Sequence, residues 1–359
     1  MRAAYRTAVV AAGGTGGHMF PAEALARELT ARGWRVVLAT DRRGEAYAHA
    51  FPAEERLALD AATGSGPVGL MKAGVAILKG VVQARAAFNR LQVDVVVGFG
   101  GYPSAPALLA ALSQGRPTLI HEQNAVLGRT NRLLAGRVRA VASSFPTLEK
   151  TPAGVTPHVV GSPVRAEIAA LYDHPYDAPT EEIRVLVTGG SQGARVLSET
   201  APRALAALPQ ALRDRLHVQQ QSRPETLEAA LNLYNDAGIA CEVAPFFRDM
   251  AGRLGRAHLV IGRAGASTCS ELAVVGRPSI LVPLKIATDD HQRLNARLLT
   301  DVGAAEVILE DDLTVERLSR AVEAMLSDPA ALAAKAAAAR SVAIPDAARR
   351  LADLVESRA

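Results

Sequence analysis

Val9-Val10-Ala11-Ala12-Gly13-Gly14-Thr15-Gly16-Gly17-His18-Met19-Phe20 runs from a short apolar strand into four glycines and one histidine. Glycine carries no Cβ, so the backbone N–H groups of such a loop can turn inward and approach a ligand closely. The segment Pro21 to Thr30 that follows reads as a helix, whose N-terminus favours an anion. A phosphate-bearing ligand is the expectation, and a tight strand-to-helix turn without a ligand is the alternative. A second copy lies about half a chain later. Val185-Leu186-Val187-Thr188 leads into Gly189-Gly190-Ser191-Gln192-Gly193, which matches Gly13 to Gly17. Two such units, each opening a run of alternating strand and helix patterns, predict an α/β protein with two doubly wound Rossmann-like domains facing across a cleft.

Composition agrees with two packed cores. The chain has 359 residues, 49% of them hydrophobic, more than one core ordinarily holds. Cys241 and Cys269 stand far apart in no C-x-x-C pattern, so neither a zinc site nor a disulfide framework is indicated. The start of the chain lacks the apolar core of a signal peptide, and no apolar run has the length of a membrane span. These features predict a protein of a reducing cytoplasm. A net charge of only +4, with aromatics at 4%, argues against a nucleic-acid partner and leaves an anionic surface open.

Several stretches carry more specific chemistry. Asp41 ends the second strand, where a dinucleotide fold keeps its ribose-binding acid, so an NAD-dependent oxidoreductase using Gly13 to Gly17 with Asp41 is one alternative. The first loop departs from G-x-G-x-x-G, however, because Met19 occupies the last glycine position. Val68 to Arg90 has helical periodicity: Leu70, Met71, Val75, Ile77, Leu78, Val81, Val82 and Phe88 fall within roughly 160° of arc, with Lys72, Lys79 and Arg90 opposite. Such a helix either covers a sheet or meets a membrane. Gly98 to Ser104 is another glycine turn, and Glu122-Gln123-Asn124 emerge from the end of a strand, where open α/β sheets hold ligands. Tyr172 to Glu182, with two prolines and many charges, reads as a linker. Gly262 to Thr268 reads as a loop with a Ser/Thr cap, and Glu271 falls in the first turn of the helix it opens, where it either complements the dipole or accepts ribose hydroxyls. Asp289-Asp290-His291-Gln292 imitates metal ligands, but adjacent side chains rarely converge on one ion. Residues 343–359 read as a helix that crosses back to the first domain.

In order along the chain, Gly13 to His18, Gly98 to Ser104, His121 to Asn124, Gly161 to Arg165, Gly189 to Arg195, Phe246 to Ala251, Arg263 to Glu271 and Asp289 to Gln292 resemble the MurG-type transferases. The resemblance spans nearly the whole chain. It implies a GT-B glycosyltransferase fold, with an acceptor and membrane-facing domain at 1–165, a UDP-sugar domain at 166–342, and the crossing helix. It further implies transfer of N-acetylglucosamine from UDP-N-acetylglucosamine to an undecaprenyl-diphosphate-linked muramoyl-pentapeptide, with inversion and without a cofactor or catalytic metal. The expected location is peripheral, on an anionic membrane surface at the cytoplasmic face of the inner membrane.

Carried onto matching positions, the resemblance implies donor contacts from Thr15, Gly16, Gly17, Asn124, Arg165 and Ser191. Phe247 would offer backbone to uracil. Ala266, Ser267, Thr268, Cys269, Ser270 and Glu271 would cradle diphosphate and ribose, and Gln292 would reach the sugar. Ser162 and Ile286 depart from the residues the family often has there. Inverting transfer needs a base, support for an oxocarbenium-like sugar, and neutralisation of the departing UDP. His18 is the candidate base, with the diphosphate as its alternative partner, and Arg165 and a helix N-terminus can hold the diphosphate. A binding protein without catalysis is the third reading.

Overall fold

The computed structural model describes residues 5–13, 16–41, 51–62, 66–190 and 193–359, so Thr15, Ser191 and the Leu70 side chain lie outside the described residues. Contacts divide the chain into two compact units, Met1–Arg165 with Asp346–Ala359, and Ala166–Pro345.

The first unit is built on seven parallel strands: β1 (Thr7–Ala11), β2 (Arg35–Thr40), β3 (Glu55–Ala58), β4 (Val95–Gly98), β5 (Thr118–Glu122), β6 (Ala140–Ser143) and β7 (His158–Val159), in the order β3-β2-β1-β4-β5-β6-β7. Its helices are α1 (Gly16–Ala31), α2 (Gly66–Leu91), α3 (Ala105–Ser113), α4 (Arg129–Leu134) and the C-terminal helix Ala347–Arg358. β1 shows why the strands read as unbroken apolar runs. Ala8 and Val10 pack on Leu25 and Leu29 of α1 and on Leu351 and Val355 of the C-terminal helix. Val9 and Ala11, on the opposite face, pack with Phe88 of α2 and Leu108 of α3. A parallel sheet covered on both faces has no polar side to betray its alternation. Strand order reverses beside β1, where Ala11 pairs with Ala39 on one flank and Gly98 on the other. The carboxyl ends of β1 and β4 are therefore the switch point at which such sheets bind ligands.

The second unit repeats the plan. β8 (Ile183–Thr188), β9 (Leu216–Gln221), β10 (Ala240–Ala244), β11 (Leu259–Gly262), β12 (Ser279–Leu281) and β13 (Ala305–Val307) lie parallel in the order β10-β9-β8-β11-β12-β13. Around them run α5 (Ala166–Ala169), α6 (Arg195–Ala206), α7 (Gln210–Arg213), α8 (Leu227–Asp236), α9 (Met250–Arg256), α10 (Ala266–Val275), α11 (His291–Thr300), α12 (Val315–Leu326) and α13 (Pro329–Ser341). Val185 and Val187 meet Leu197 of α6 and Leu318 and Val322 of α12 in the core. Its switch point lies between β8 and β11.

Three local readings differ from the sequence expectation. α1 begins at Gly16 rather than Pro21, so His18 is its third residue and not part of a loop. Pro21 sits inside the helix, where its ring removes the bond that the Gly17 carbonyl would otherwise accept. Tyr172 to Glu182, expected as a linker, belongs to the second unit: the Tyr176 hydroxyl donates to the His258 carbonyl at 2.9 Å, and its ring meets the His258 imidazole edge-on. Finally, α10 starts at Ala266, which makes Glu271 its sixth residue, beyond the first turn.

Candidate functional site

In the first unit the site residues gather at the carboxyl ends of β1, β4 and β5. Gly13 is required by close packing, since a Cβ there would lie 2.8 Å from both an Asp41 carboxylate oxygen and Pro103. Asp41 is buried and accepts the Tyr102 hydroxyl at 3.2 Å. This contact corrects the ribose-binding role considered for Asp41: the carboxylate braces the loop after β4. Gly101 in that loop adopts φ 70° and ψ 161°, a region essentially closed to side chains, and a Cβ on it would stand 3.6 Å from His18 Nε2. Ser104, fully buried, fixes the same loop by donating to the Gly101 carbonyl at 2.9 Å.

His18 is half-buried, and its Nδ1 lies 3.1 Å from Gln123 Oε1. Gln123 Nε2 lies 3.2 Å from Nδ1 of His121, whose Nε2 is 3.0 Å from the Gly161 carbonyl oxygen. Burial pushes the His121 pKa down to about 4; the Gly161 carbonyl pulls the other way, and the charge of His18 adds to the depression. Next to this chain the buried Glu122 carboxylate accepts from the Asn124 N–H at 3.1 Å, the Gly128 N–H at 2.9 Å and the Asn131 side chain at 2.8 Å. Asn124 is thereby held in one conformation at the end of β5. Arg165, half-buried, stacks its guanidinium 5.6 Å from the Phe20 ring centre, so α1 carries both His18 and the platform for Arg165. Gly16 packs under the same ring and Gly17 is exposed.

In the second unit the corresponding edge is formed by Gly189 and Gly190 after β8 and by the N-terminus of α10 after β11. A Cβ on Gly189 would lie 2.1 Å from the Ala194 nitrogen, so only glycine closes this loop. The N-cap of α10 is Gly265, with no side-chain cap, which leaves the first-turn N–H groups and the positive end of a ten-residue helix for a ligand. Among the described residues Ser267 Oγ is buried without a hydrogen-bond partner. Two side chains set the approach to this helix. Buried Arg263 donates to the Val282 carbonyl at 3.1 Å and pairs with Glu310 at 2.9 Å, while buried Asn295 donates to the Ala264 carbonyl at 3.2 Å. Gln292 Oε1 accepts the Leu284 N–H at 2.9 Å, so part of its amide is committed to shaping its own loop.

One expected donor contact needs correction. The Cys269 thiol is fully buried, burial pushes its pKa up to about 12, and its N–H is bound by the Gly265 carbonyl at 2.9 Å. It is a core residue of α10. Phe247 is also interior, with the Arg253 guanidinium 3.8 Å from its ring centre, so only its backbone is left to offer a ligand. Asp289 and Asp290 both have positive φ, and Asp290 pairs with Arg293. Among the described residues no group of three or more His, Cys, Asp or Glu is arranged to hold a metal. Asn295, Glu310 and the Tyr102–Asp41 contact were missed from sequence; the only signal for Asn295 is its place one turn after Gln292.

Two parallel-sheet units of like topology, each with a glycine loop and a helix N-terminus at its switch point, define a glycosyltransferase of the GT-B type. Comparison with known proteins agrees. The model of the glycosyltransferase family 28 N-terminal domain matches residues 8–143 and that of its C-terminal domain residues 184–351. The UDP-N-acetylglucosamine–N-acetylmuramyl-(pentapeptide) pyrophosphoryl-undecaprenol N-acetylglucosamine transferase of Caulobacter vibrioides is 65% identical, and that of Phenylobacterium zucineum 61%, with 99% of each chain covered in both cases. The crystal structure of Acinetobacter baumannii MurG superposes with a TM-score of 0.82 at 33% identity, covering 98% of this chain and 99% of that one. A calicheamicin glycosyltransferase, CalG4, shares the fold at a TM-score of 0.68 and 17% identity, covering 100% of this chain and 98% of that one. The chain belongs to the MurG family of N-acetylglucosaminyltransferases.

Proposed function

We propose that the chain transfers N-acetylglucosamine from UDP-N-acetylglucosamine to an undecaprenyl-diphosphate-linked muramoyl-pentapeptide, the lipid I to lipid II step of peptidoglycan synthesis. The observation that carries the chemistry is His18 at the switch point of the first sheet, held through Nδ1 by Gln123, with Nε2 beside the backbone of Gly101. In this reading Nε2 takes the proton of the acceptor sugar hydroxyl. The hydroxyl oxygen bonds to the anomeric carbon from the side opposite UDP, the bond from that carbon to the diphosphate oxygen breaks, and UDP leaves with the electron pair. Its charge is offset by Arg165 and by the uncapped N-terminus of α10, without a metal ion. Glu271 binds ribose, Phe247 offers backbone to the base, and Gln292, Asn124, Gly16 and Gly17 line the sugar side. The oxidoreductase alternative falls with Asp41.

The acceptor is membrane-bound, and α2 supplies a reading of how the enzyme meets it. Among the described residues no helix is long and apolar enough to cross a membrane. The α2 arc is divided: Ala84 and Phe88 face the sheet, whereas Met71, Val75, Leu78 and Val82 are 63–67% exposed at alternating three- and four-residue spacing. An anionic lipid surface is the proposed occupant of that stripe, which makes the protein peripheral.

The decisive experiment is UDP release with a short-chain lipid-linked acceptor. Turnover is expected and should persist in EDTA. His18→Ala should lower it by roughly 10²–10⁴ while donor affinity stays within a few-fold. A folded His18→Ala protein with near-normal turnover would remove His18 from the chemistry.

A further inference from the structure

The polar chain behind His18 has an unambiguous direction. It begins at a backbone carbonyl, the oxygen of Gly161, which can only accept; His121 Nε2, 3.0 Å away, therefore carries a proton. A neutral imidazole with a proton on Nε2 has a lone pair on Nδ1. Gln123 must then turn its NH₂ toward His121 Nδ1, at 3.2 Å, and this turns its carbonyl oxygen toward His18 Nδ1, at 3.1 Å. An oxygen accepts, so His18 Nδ1 carries the proton. The remaining nitrogen of His18, Nε2, is left with its lone pair on the side of Gly101.

We infer that Gln123 and His121 are positioning residues that lock His18 in the Nδ1-protonated tautomer and so leave Nε2 as the proton acceptor of the transfer reaction. The inference deepens the assignment of His18 as base and rests on it. It concerns residues to which the proposed function gives no contact with donor or acceptor.

The surroundings support the lock at both ends. His121 is fully buried, its ring 5.2 Å from that of Phe99, with Ser144 Oγ near Nε2. Burial keeps it neutral at physiological pH, and a neutral His121 is required, since a second proton on Nδ1 would face the Gln123 NH₂ and reverse the amide. Gln123 is itself buried, so its amide has no water to satisfy it in the opposite orientation. A histidine side chain in water favours the proton on Nε2, the tautomer in which His18 would present an N–H to the acceptor hydroxyl instead of a lone pair. When His18 takes the proton it becomes an imidazolium whose Nδ1–H already points at a carbonyl oxygen. Gln123 thus stabilises the charge that forms as well as the tautomer that precedes it.

Two-bond ¹H–¹⁵N correlation spectra of histidine-labelled protein separate the two tautomers without reference to activity. With resonances assigned by His18→Ala and His121→Gln, neutral wild-type His18 should show protonated Nδ1 and bare Nε2, and His121 the reverse. Gln123→Met, which keeps the length and removes both polar atoms, should move His18 toward the Nε2-protonated form. It should lower kcat by about tenfold or more, within the range set by a misoriented base, with donor KM changed less than threefold. Gln123→Glu, which keeps an acceptor oxygen on the His18 side, should hold Nδ1 protonated. A wild-type spectrum with His18 protonated on Nε2, or a Gln123→Met protein with unchanged tautomer and kcat, overturns the inference. Failure of the base assignment is seen separately, as normal turnover in His18→Ala.

Discussion

At the scale of single residues, the structure changes the weight of Glu271 more than that of any other candidate. As a first-turn residue it would have had a sufficient purpose in complementing the α10 dipole. As the sixth residue of that helix it lies past the turn over which the dipole acts. In the proposed site this half-buried carboxylate accepts two ribose hydroxyls. Glu271→Gln keeps the shape and loses the charge, which costs roughly 1.5 to 3 kcal/mol for charge-assisted bonds. Affinity for UDP-N-acetylglucosamine in calorimetry should fall at least tenfold, and an unchanged Kd in a folded variant would return Glu271 to a structural role. The misreading has a physical source. Ser267 and Thr268 look like caps, but the helix takes Gly265 as N-cap and uses no side chain there, so the hydroxyls that suggested its start lie inside it. Cys269 entered through the resemblance alone; as the fourth residue of α10 its side chain lies in the core.

At the scale of elements, strands and glycine loops were legible because burial on both faces leaves an uninterrupted apolar run and because sharp turns at switch points exclude side chains. Helix starts were less so. Pro21 is a favoured opening residue, yet α1 begins five residues earlier on two glycines that have weak intrinsic preference for helix. The side-chain clamps were invisible, since Arg263 with Glu310 and Asn295 with Ala264 join positions that only the folded sheet brings together. α2 was half legible. Its periodicity gave the arc, but the division of that arc between sheet and solvent depends on Gly80, where a Cβ would lie 2.2 Å from the Asp60 carbonyl and force the helix off the sheet. Its charges also read differently in place, because Lys79 pairs with Asp60 at 2.8 Å and Arg90 with Glu55. In the proposed membrane contact the apolar stripe then outweighs the cations. Met71→Ser/Leu78→Ser removes two side chains worth about 1.5–3 kcal/mol each on full burial, so partition onto anionic vesicles should fall at least tenfold, more than with Lys72→Glu. Circular dichroism and donor binding should be unchanged. Equal co-sedimentation of the double variant and the wild type would assign the stripe to another purpose.

At the scale of the whole molecule, each unit hides a histidine that must stay neutral. His121 stands in the first, and His258 in the second, where its Nδ1 accepts the Arg184 N–H at 2.9 Å. Both have pKa values pushed down from 6.5 to about 4, in each case chiefly by burial, with Arg184 and Arg277 adding to the effect on His258. Above pH 6.5 neither folded nor unfolded chain protonates these rings, and their contribution to stability is constant. As pH falls from 6.5 toward 4, the unfolded chain binds protons that the folded chain refuses, so stability is lost across that window and levels once the folded rings titrate. The loss amounts to about 3 kcal/mol for fully buried His121, and to no more than that for His258, which is 8% exposed. Glu55, Glu242 and Glu310, whose pKa values are lowered below 4.5, add their losses only at lower pH, so the histidine window can be separated from acid unfolding of the ion pairs. Thermal melts between pH 7 and 4.5 should show a falling Tm, and His258→Asn should flatten the slope for the second unit while leaving that of the first. A Tm independent of pH over this range would mean that one or both rings gain water or a proton acceptor on folding, and the neutral His121 required behind His18 would lose its support.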